Sequence, residues 1–235
     1  MSLIARRLGV FGGTFDPVHV GHLRIAEEAV EFLGLDLLLF VPAAVPPHKG
    51  EEAILPFECR YEMLRLGIQG NPRFLVSGIE KDLPGKSYTV VTLGKLREQY
   101  SQDVELFFLV GMDAFFELDS WWHYRDLFRS ASIVVLRRHG YCENSVADFL
   151  RVKVSPLIPG AEGSRSFQFQ DPAFHPVYLL PNTSIEVSSS RIRQMVARGR
   201  SIRYLVPWAV MRYIQENRLY RFDTDKSNEK GTAES

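Results

Sequence analysis

Cysteine is nearly absent from this chain. Cys59 and Cys142 are the only two in 235 residues, far apart and without CxxC spacing. That argues against a disulfide framework and a zinc site, and fits a reducing compartment. Net charge is absent as well: 28 Lys and Arg balance 28 Asp and Glu. Bulk electrostatic binding of nucleic acid is therefore not expected. No apolar run is long enough to span a bilayer, since the strongest, Leu35 to Val41, is short and carries Asp36. Met1 to Arg7 lacks the apolar core of a signal peptide, so the expectation is a soluble cytoplasmic protein without a membrane partner. No carboxylate cluster suits a protein-held metal, and no internal repeat is visible. A homo-oligomer is compatible with the sequence, which sets no oligomeric state.

What is present is a chain 46% hydrophobic and 24% charged, long enough for one large domain with a sizeable core. Its most informative stretch is Gly12-Gly13-Thr14-Phe15-Asp16-Pro17-Val18-His19-Val20-Gly21-His22. The stretch follows an apolar run, Leu8 to Phe11, and precedes an amphipathic one. It therefore puts two glycines at a strand exit and two histidines at a helix entrance. Glycine lets backbone approach a ligand, and a helix start offers unpaired N–H groups and a positive dipole end. The stretch is neither a Walker loop nor a GxGxxG turn.

Strands are predicted over Leu8–Phe11, Leu37–Val41, Arg73–Ser77, Val104–Val110, Ala131–Leu136 and Val177–Leu180. Helices are predicted over Val20–Leu33, Phe57–Gln69, Tyr88–Tyr100, Ser189–Arg198 and Pro207–Asn217. In the second helix Phe57, Tyr61, Leu64 and Ile68 share the inward face at helical spacing. This alternation predicts a doubly wound α/β fold with a parallel sheet of about five or six strands and a small helical C-terminal part. Residues 1–221 form the domain. Within it 140–175 reads as an insertion or long loop with some helix near Ser145–Val152. Residues 222–235 read as a polar, disordered tail.

Three further strings carry chemistry. In Val187-Ser188-Ser189-Ser190-Arg191-Ile192-Arg193 the serines sit at a helix start and Arg193 one turn along. Hydroxyls, orphan N–H groups and a guanidinium there suit a triphosphate, although a serine cap is also common for structural reasons alone. Pro46-Pro47-His48-Lys49 is either a stiff surface loop or a cationic arm beside the phosphates. In Gly111-Met112-Asp113-Ala114-Phe115-Phe116, Asp113 suits ribose hydroxyls or an adenine amino group, while Phe115 and Phe116 read as core. The adjacent Trp121 and Trp122 cannot share one helix face, so at least one is placed to stack on a heteroaromatic ring.

These pieces together resemble the bacterial nicotinate mononucleotide adenylyltransferases over about Leu8 to Tyr220. The similarity includes the HxGH signature of the nucleotidyltransferase superfamily, the PPHK loop and Ser87-Tyr88-Thr89. It extends through the GxDxF…W stretch and the SSSxIR element to the ending Tyr204-Leu205-Val206-Pro207…Tyr213-Ile214…Leu219-Tyr220. The opening string alone fits the phosphopantetheine enzyme nearly as well. Two features depart from the family pattern. Trp122 stands where an aromatic such as Tyr is common, and Arg137-Arg138-His139-Gly140 replaces the usual Arg-Pro-Gly.

The resemblance implies transfer of AMP from ATP to nicotinate mononucleotide. It places ATP against Gly12, Gly13, Thr14, Phe15, Gly111, Asp113, Ser188, Ser189, Ser190 and Arg193, with His19 and His22 on its phosphates. His19, His22 and Arg193 would be catalytic. Thr89, Trp121 and Trp122 would hold the mononucleotide, with His48 and Lys49 on a loop nearby. Magnesium is expected to bridge the ATP phosphates. The alternatives are nicotinamide mononucleotide or phosphopantetheine as acceptor, or a nucleotide-binding regulator that has lost the reaction.

Overall fold

The computed structural model of the chain describes residues 6–46, 54–83, 85–100, 103–137, 143–158 and 165–221. Its strands are β1 (Arg7–Gly13), β2 (Leu37–Pro42), β3 (Phe74–Val76), β4 (Glu105–Gly111), β5 (Ser132–Leu136), β6 (Leu157–Ile158), β7 (Ser166–Phe169) and β8 (Val177–Leu180). The helices are α1 (Val20–Leu33), α2 (Phe57–Gly67), α3 (Thr89–Tyr100), α4 (Met112–Phe116), α5 (Tyr124–Ser130), α6 (Glu143–Phe149), α7 (Ser189–Ala197) and α8 (Trp208–Glu216). None of the described helices is long and apolar enough to cross a membrane.

One sheet runs in the order β3-β2-β1-β4-β5-β8-β7-β6. Its first six strands are parallel, with Leu8 opposite Leu37 on one side of β1 and Leu106 on the other. Side chains alternate across each strand. Leu8, Val10, Leu37, Leu39 and Val41 therefore join one core with Leu93, Leu96 and Leu127 of α3 and α5. Phe11, Leu38 and Phe40 join the other with Ala26, Met63, Ile192 and Val210 of α1, α2, α7 and α8. Two covered faces explain why these strands read as unbroken apolar runs.

The sheet is mixed rather than wholly parallel. The segment expected to be an insertion or long loop with some helix contains α6, a π turn (Leu150–Val154) and two short strands. β7 runs antiparallel to β8, and β6 antiparallel to β7, which short connections permit and parallel pairing does not. The expected disordered tail, residues 222–235, lies outside the described residues.

The buried face of α2 is also turned from the one expected. Arg60, Met63 and Leu64 are buried, whereas Phe57, Tyr61 and Ile68 are only half-covered. The strand order reverses between β1 and β4, and a crevice opens there at their carboxyl ends. Gly12 and Gly13 end one strand and Gly111 ends the other.

Candidate active site

His19 is the N-cap of α1, in extended backbone at φ −142°. Its Nδ1 accepts from the His22 N–H at 3.4 Å, and His22 Nδ1 accepts from the His19 N–H at 3.2 Å. The two rings stack at 3.6 Å. With both Nδ1 atoms accepting, each neutral ring carries its proton on Nε2 and keeps one donor for a ligand. Burial holds His19 down at about 4 and His22 well below the ordinary histidine range, the neighbouring His19 adding to the second effect. Both are neutral at pH 7. No acidic residue occupies the first turn of α1, so its positive end is uncompensated. Gly21 belongs here for steric reasons. A Cβ would meet Val187 Cγ1 at 2.9 Å and His19 Nδ1 at 3.1 Å.

The start of α7 comes to the same place. His19, Gly21, His22, Gly111, Asp113, Ser188, Ser189 and Arg191 all line one cleft of about 680 Å³. The imidazoles and the serine cap, some 170 residues apart in sequence, thus converge. Ser188 caps α7 by accepting from the Arg191 N–H, and Ser189 Oγ donates to the Pro17 carbonyl at 2.8 Å.

Six residues expected at the ATP site do not line this cleft: Gly12, Gly13 and Thr14 line the neighbouring one, and Phe15, Ser190 and Arg193 line neither. Phe15 is buried, with a left-handed φ of 50°, packed edge-on against Phe11, Phe40 and His22. It supports the site from beneath. Arg193 Nη1 donates to the Asp16 carbonyl at 2.9 Å and Nη2 to Ser190 Oγ at 3.3 Å. Arg193 and Ser190 line neither cleft and tie α7 to the Asp16–Pro17 turn. The cations that do line this cleft are Arg137 and Arg191; the serine string held Arg191, but its spacing did not single it out.

A second cleft, of about 550 Å³, opens on the other side of the β1 turn. Gly12, Gly13 and Thr14 form its base, Lys86 and Thr89 one wall, and Trp121 and Trp122 another. Both indoles reach the cleft. Trp122 is half exposed and lies 5.0 Å from the Tyr88 ring, while Trp121 meets Phe108 edge-on. Thr89 opens α3, where the Val91 and Thr92 N–H groups donate to the Tyr88 carbonyl at 3.0 and 3.2 Å and the earliest amides have no carbonyl within the helix to reach. Gly111 lines both clefts, and a Cβ on it would project into open space between them. His48 and Lys49 lie outside the described residues.

Beneath the two clefts sits a buried polar group that sequence reasoning missed. Arg60, 1% exposed, donates to the carbonyls of Thr14 (2.9 Å), Ala43 (2.7 Å) and Leu55 (2.9 Å). Buried Asp16 accepts from the Tyr220 hydroxyl at 2.6 Å, which with burial drives that phenol far above its usual range. Buried Glu80 accepts from the Ala44 N–H at 3.2 Å and the Thr92 hydroxyl at 2.8 Å. The available signal was the Arg60, Met63, Leu64, Gly67 series, which has helical spacing but begins with a charge.

Comparison with known proteins agrees with this geometry. The sequence model of the cytidylyltransferase-like family matches residues 10–195. The chain is 44% identical to a Pelobacter propionicus protein named "Probable nicotinate-nucleotide adenylyltransferase", over 91% of this chain and 98% of the relative. It is 43% identical to a Geobacter sulfurreducens protein of the same name, over 92% and 99%. Among solved structures, the Plasmodium falciparum nicotinic acid mononucleotide adenylyltransferase complexed with NaAD superposes with a TM-score of 0.69 at 16% identity, covering 92% of this chain and 97% of that one. At that identity the likeness shows the fold.

Proposed function

The chain belongs to the nicotinate-nucleotide adenylyltransferase family, and on that premise we propose that it joins ATP to nicotinate mononucleotide, giving nicotinate adenine dinucleotide and pyrophosphate. The observation that carries the reading is the pair of clefts meeting at Gly111. One is lined by helix starts and imidazoles, the other by indoles. A donor triphosphate and an aromatic acceptor need two such neighbouring sites.

ATP takes the cleft of His19, His22, Ser189 and Arg191, with Asp113 toward its ribose or adenine. The mononucleotide takes the cleft of Trp121, Trp122 and Thr89, its ring against an indole face. The ring carboxylate is held at the start of α3, where the earliest amides at Thr89 and the helix dipole favour an anion, with Lys86 nearby. An amide in its place forgoes the charge attraction, so nicotinate is preferred over nicotinamide.

A phosphate oxygen of the mononucleotide attacks the α-phosphorus in line with departing pyrophosphate. One P–O bond forms as another breaks, and no enzyme nucleophile or strong base is required. Catalysis is positioning and charge stabilisation. The Nε2–H groups of His19 and His22 donate to phosphate oxygens as charge develops. Arg191 faces the leaving group, and Arg193 holds the turn through Asp16.

Among the described residues no cluster of three or more His, Cys, Asp or Glu side chains is fit to hold a metal. The donor set therefore suits magnesium bound chiefly to the ATP phosphates, where it would neutralise charge on the leaving pyrophosphate. The test is pyrophosphate release with ATP and each mononucleotide in turn. Release with nicotinate mononucleotide well above nicotinamide mononucleotide supports the reading. ATP binding with no release for either acceptor would assign the protein to a regulatory class instead.

A further inference from the structure

The peptide between Ala43 and Ala44 is gripped at both polar ends by buried charges of opposite sign. Its carbonyl accepts from Arg60 Nη2 at 2.7 Å, and its N–H donates to Glu80 Oε2 at 3.2 Å. The two groups align with the peptide dipole, the cation on the oxygen and the anion on the hydrogen. Charge-assisted hydrogen bonds of this kind are the strong ones, and both residues are withdrawn from water at 1% and 8% exposure. Thr92, itself buried, donates to the other Glu80 oxygen at 2.8 Å and fixes its rotation.

The same Arg60 reaches across to the turn that leads from the acceptor cleft at Thr14 to His19 in the ATP cleft. Its Nη1 donates to the Thr14 carbonyl at 2.9 Å, in the turn that separates the two clefts. Ala43 N–H also donates to the Gly13 carbonyl at 2.9 Å. The exit of β2, which walls the acceptor cleft, is thereby held at a fixed offset from the exit of β1, whose turn runs on to His19 in the ATP cleft. Neither Arg60 nor the Ala43–Ala44 peptide has a place in the chemical step described above. An arginine buried on a helix face is costly unless its donors are satisfied, and here two of its three nitrogens are spent on backbone that lines the acceptor cleft, the third on Leu55.

We propose that Arg60 and Glu80 are positioning residues: by clamping the Ala43–Ala44 peptide they set the separation between the acceptor and ATP sites. The inference rests on the proposed adenylyl transfer. Misplacement by about 1 Å between reacting groups lowers turnover on the order of 10²-fold, while each half-site still binds its own substrate. The signature is a fall in kcat with KM nearly unchanged.

The test is steady-state kinetics of the full chain with ATP and nicotinate mononucleotide, per folded molecule. Arg60→Lys keeps the charge but not the three-pronged reach. Its kcat is expected to fall on the order of 10-fold or more, with both KM values within about threefold. Glu80 also lines the acceptor cleft, so Glu80→Leu is expected to show the same fall in kcat with KM for ATP within about threefold, whatever its KM for the mononucleotide. Glu80→Gln, whose amide can accept from Ala44 and donate to the Thr92 hydroxyl, is expected to recover most of that loss. Arg60→Lys with kcat within about twofold of wild type, or a change confined to KM, overturns the clamp. If Arg60→Lys does not fold, the Glu80 pair decides, and Gln no better than Leu overturns it. A wild-type chain inactive with both mononucleotides sinks the proposed function and this role with it. An active wild type with unaffected variants sinks the clamp alone.

Discussion

The two nitrogens of His22 have separable duties, and two substitutions separate them. Nδ1 accepts from the His19 N–H at 3.2 Å and completes the reciprocal cap of α1, which leaves Nε2–H as the group that the proposed reaction sets on phosphate. In His22→Asn the side-chain oxygen falls near the old Nδ1 position, so the cap survives and the donor is lost. In His22→Gln the amide nitrogen falls near the old Nε2 position, so the donor survives and the cap is weakened. Removing one preorganised donor to a developing anion lowers turnover by about 10²–10³, or about 2.7–4 kcal/mol. Losing a cap lowers stability by about 1 kcal/mol, which is about 2–4 °C in a chain of this size. The Asn variant should therefore melt near wild type and turn over on the order of 10²-fold more slowly. The Gln variant should melt lower and retain more activity. Pyrophosphate release and thermal unfolding on the same preparations read both effects. An Asn variant as active as the Gln variant would refute the assignment of the proton to Nε2.

Other outcomes follow from the same geometry. Trp122→Ala should raise KM for nicotinate mononucleotide roughly 5-fold or more, as loss of about 1–3 kcal/mol of stacking implies, and leave KM for ATP within about twofold. Since Trp122 is half exposed, thermal unfolding of that variant should match wild type. Acid should destabilise the ligand-free fold early. His19 protonates at about 4 when folded and 6.5 when unfolded, so below pH 6.5 the unfolded chain takes up the proton first. Stability falls from there toward pH 4 by about 3 kcal/mol from His19, with His22 and His175 acting in the same direction. Urea titrations at pH 7, 6 and 5 measure the slope, and equal stabilities at all three contradict it. Chelating magnesium should abolish pyrophosphate release while leaving the melting point of the ligand-free protein unchanged. A drop in that melting point would indicate a metal held by the protein itself.

Most of the framework was legible because periodicity and end signals agreed. Val20–Leu33 is the helix that its apolar spacing predicts, and Gly34 closes it in left-handed backbone at φ 59°. The inner strands declared themselves because burial on both faces leaves no polar position to interrupt the run. β6 and β7 did not, since two- and four-residue strands with half-covered, partly polar faces carry too little pattern. α5 was hidden because Tyr124 to Ser130 holds only Leu127 and Phe128 as fully buried residues.

At the site, the histidines and glycines were readable because a strand–turn–helix junction constrains them locally. Arg60 and Glu80 were not. A charge within an amphipathic helix reads as a solvated face until the carbonyls it satisfies are known, and those come from Thr14 and Ala43, far away in sequence. One helical turn from a cap predicts proximity to an anion but not the other acceptors in reach, and for Arg193 these include the Asp16 carbonyl.

The Asp16 carboxylate takes its shortest hydrogen bond from Tyr220, 204 positions later in the chain. The lining of both clefts ends at Arg191, so a nascent polypeptide makes all of it before it makes the residue that steadies the turn between them. On the proposed function, activity should switch on only once Tyr220, beyond α8, reaches Asp16. A stop codon ahead of position 220 would leave that turn without its last brace.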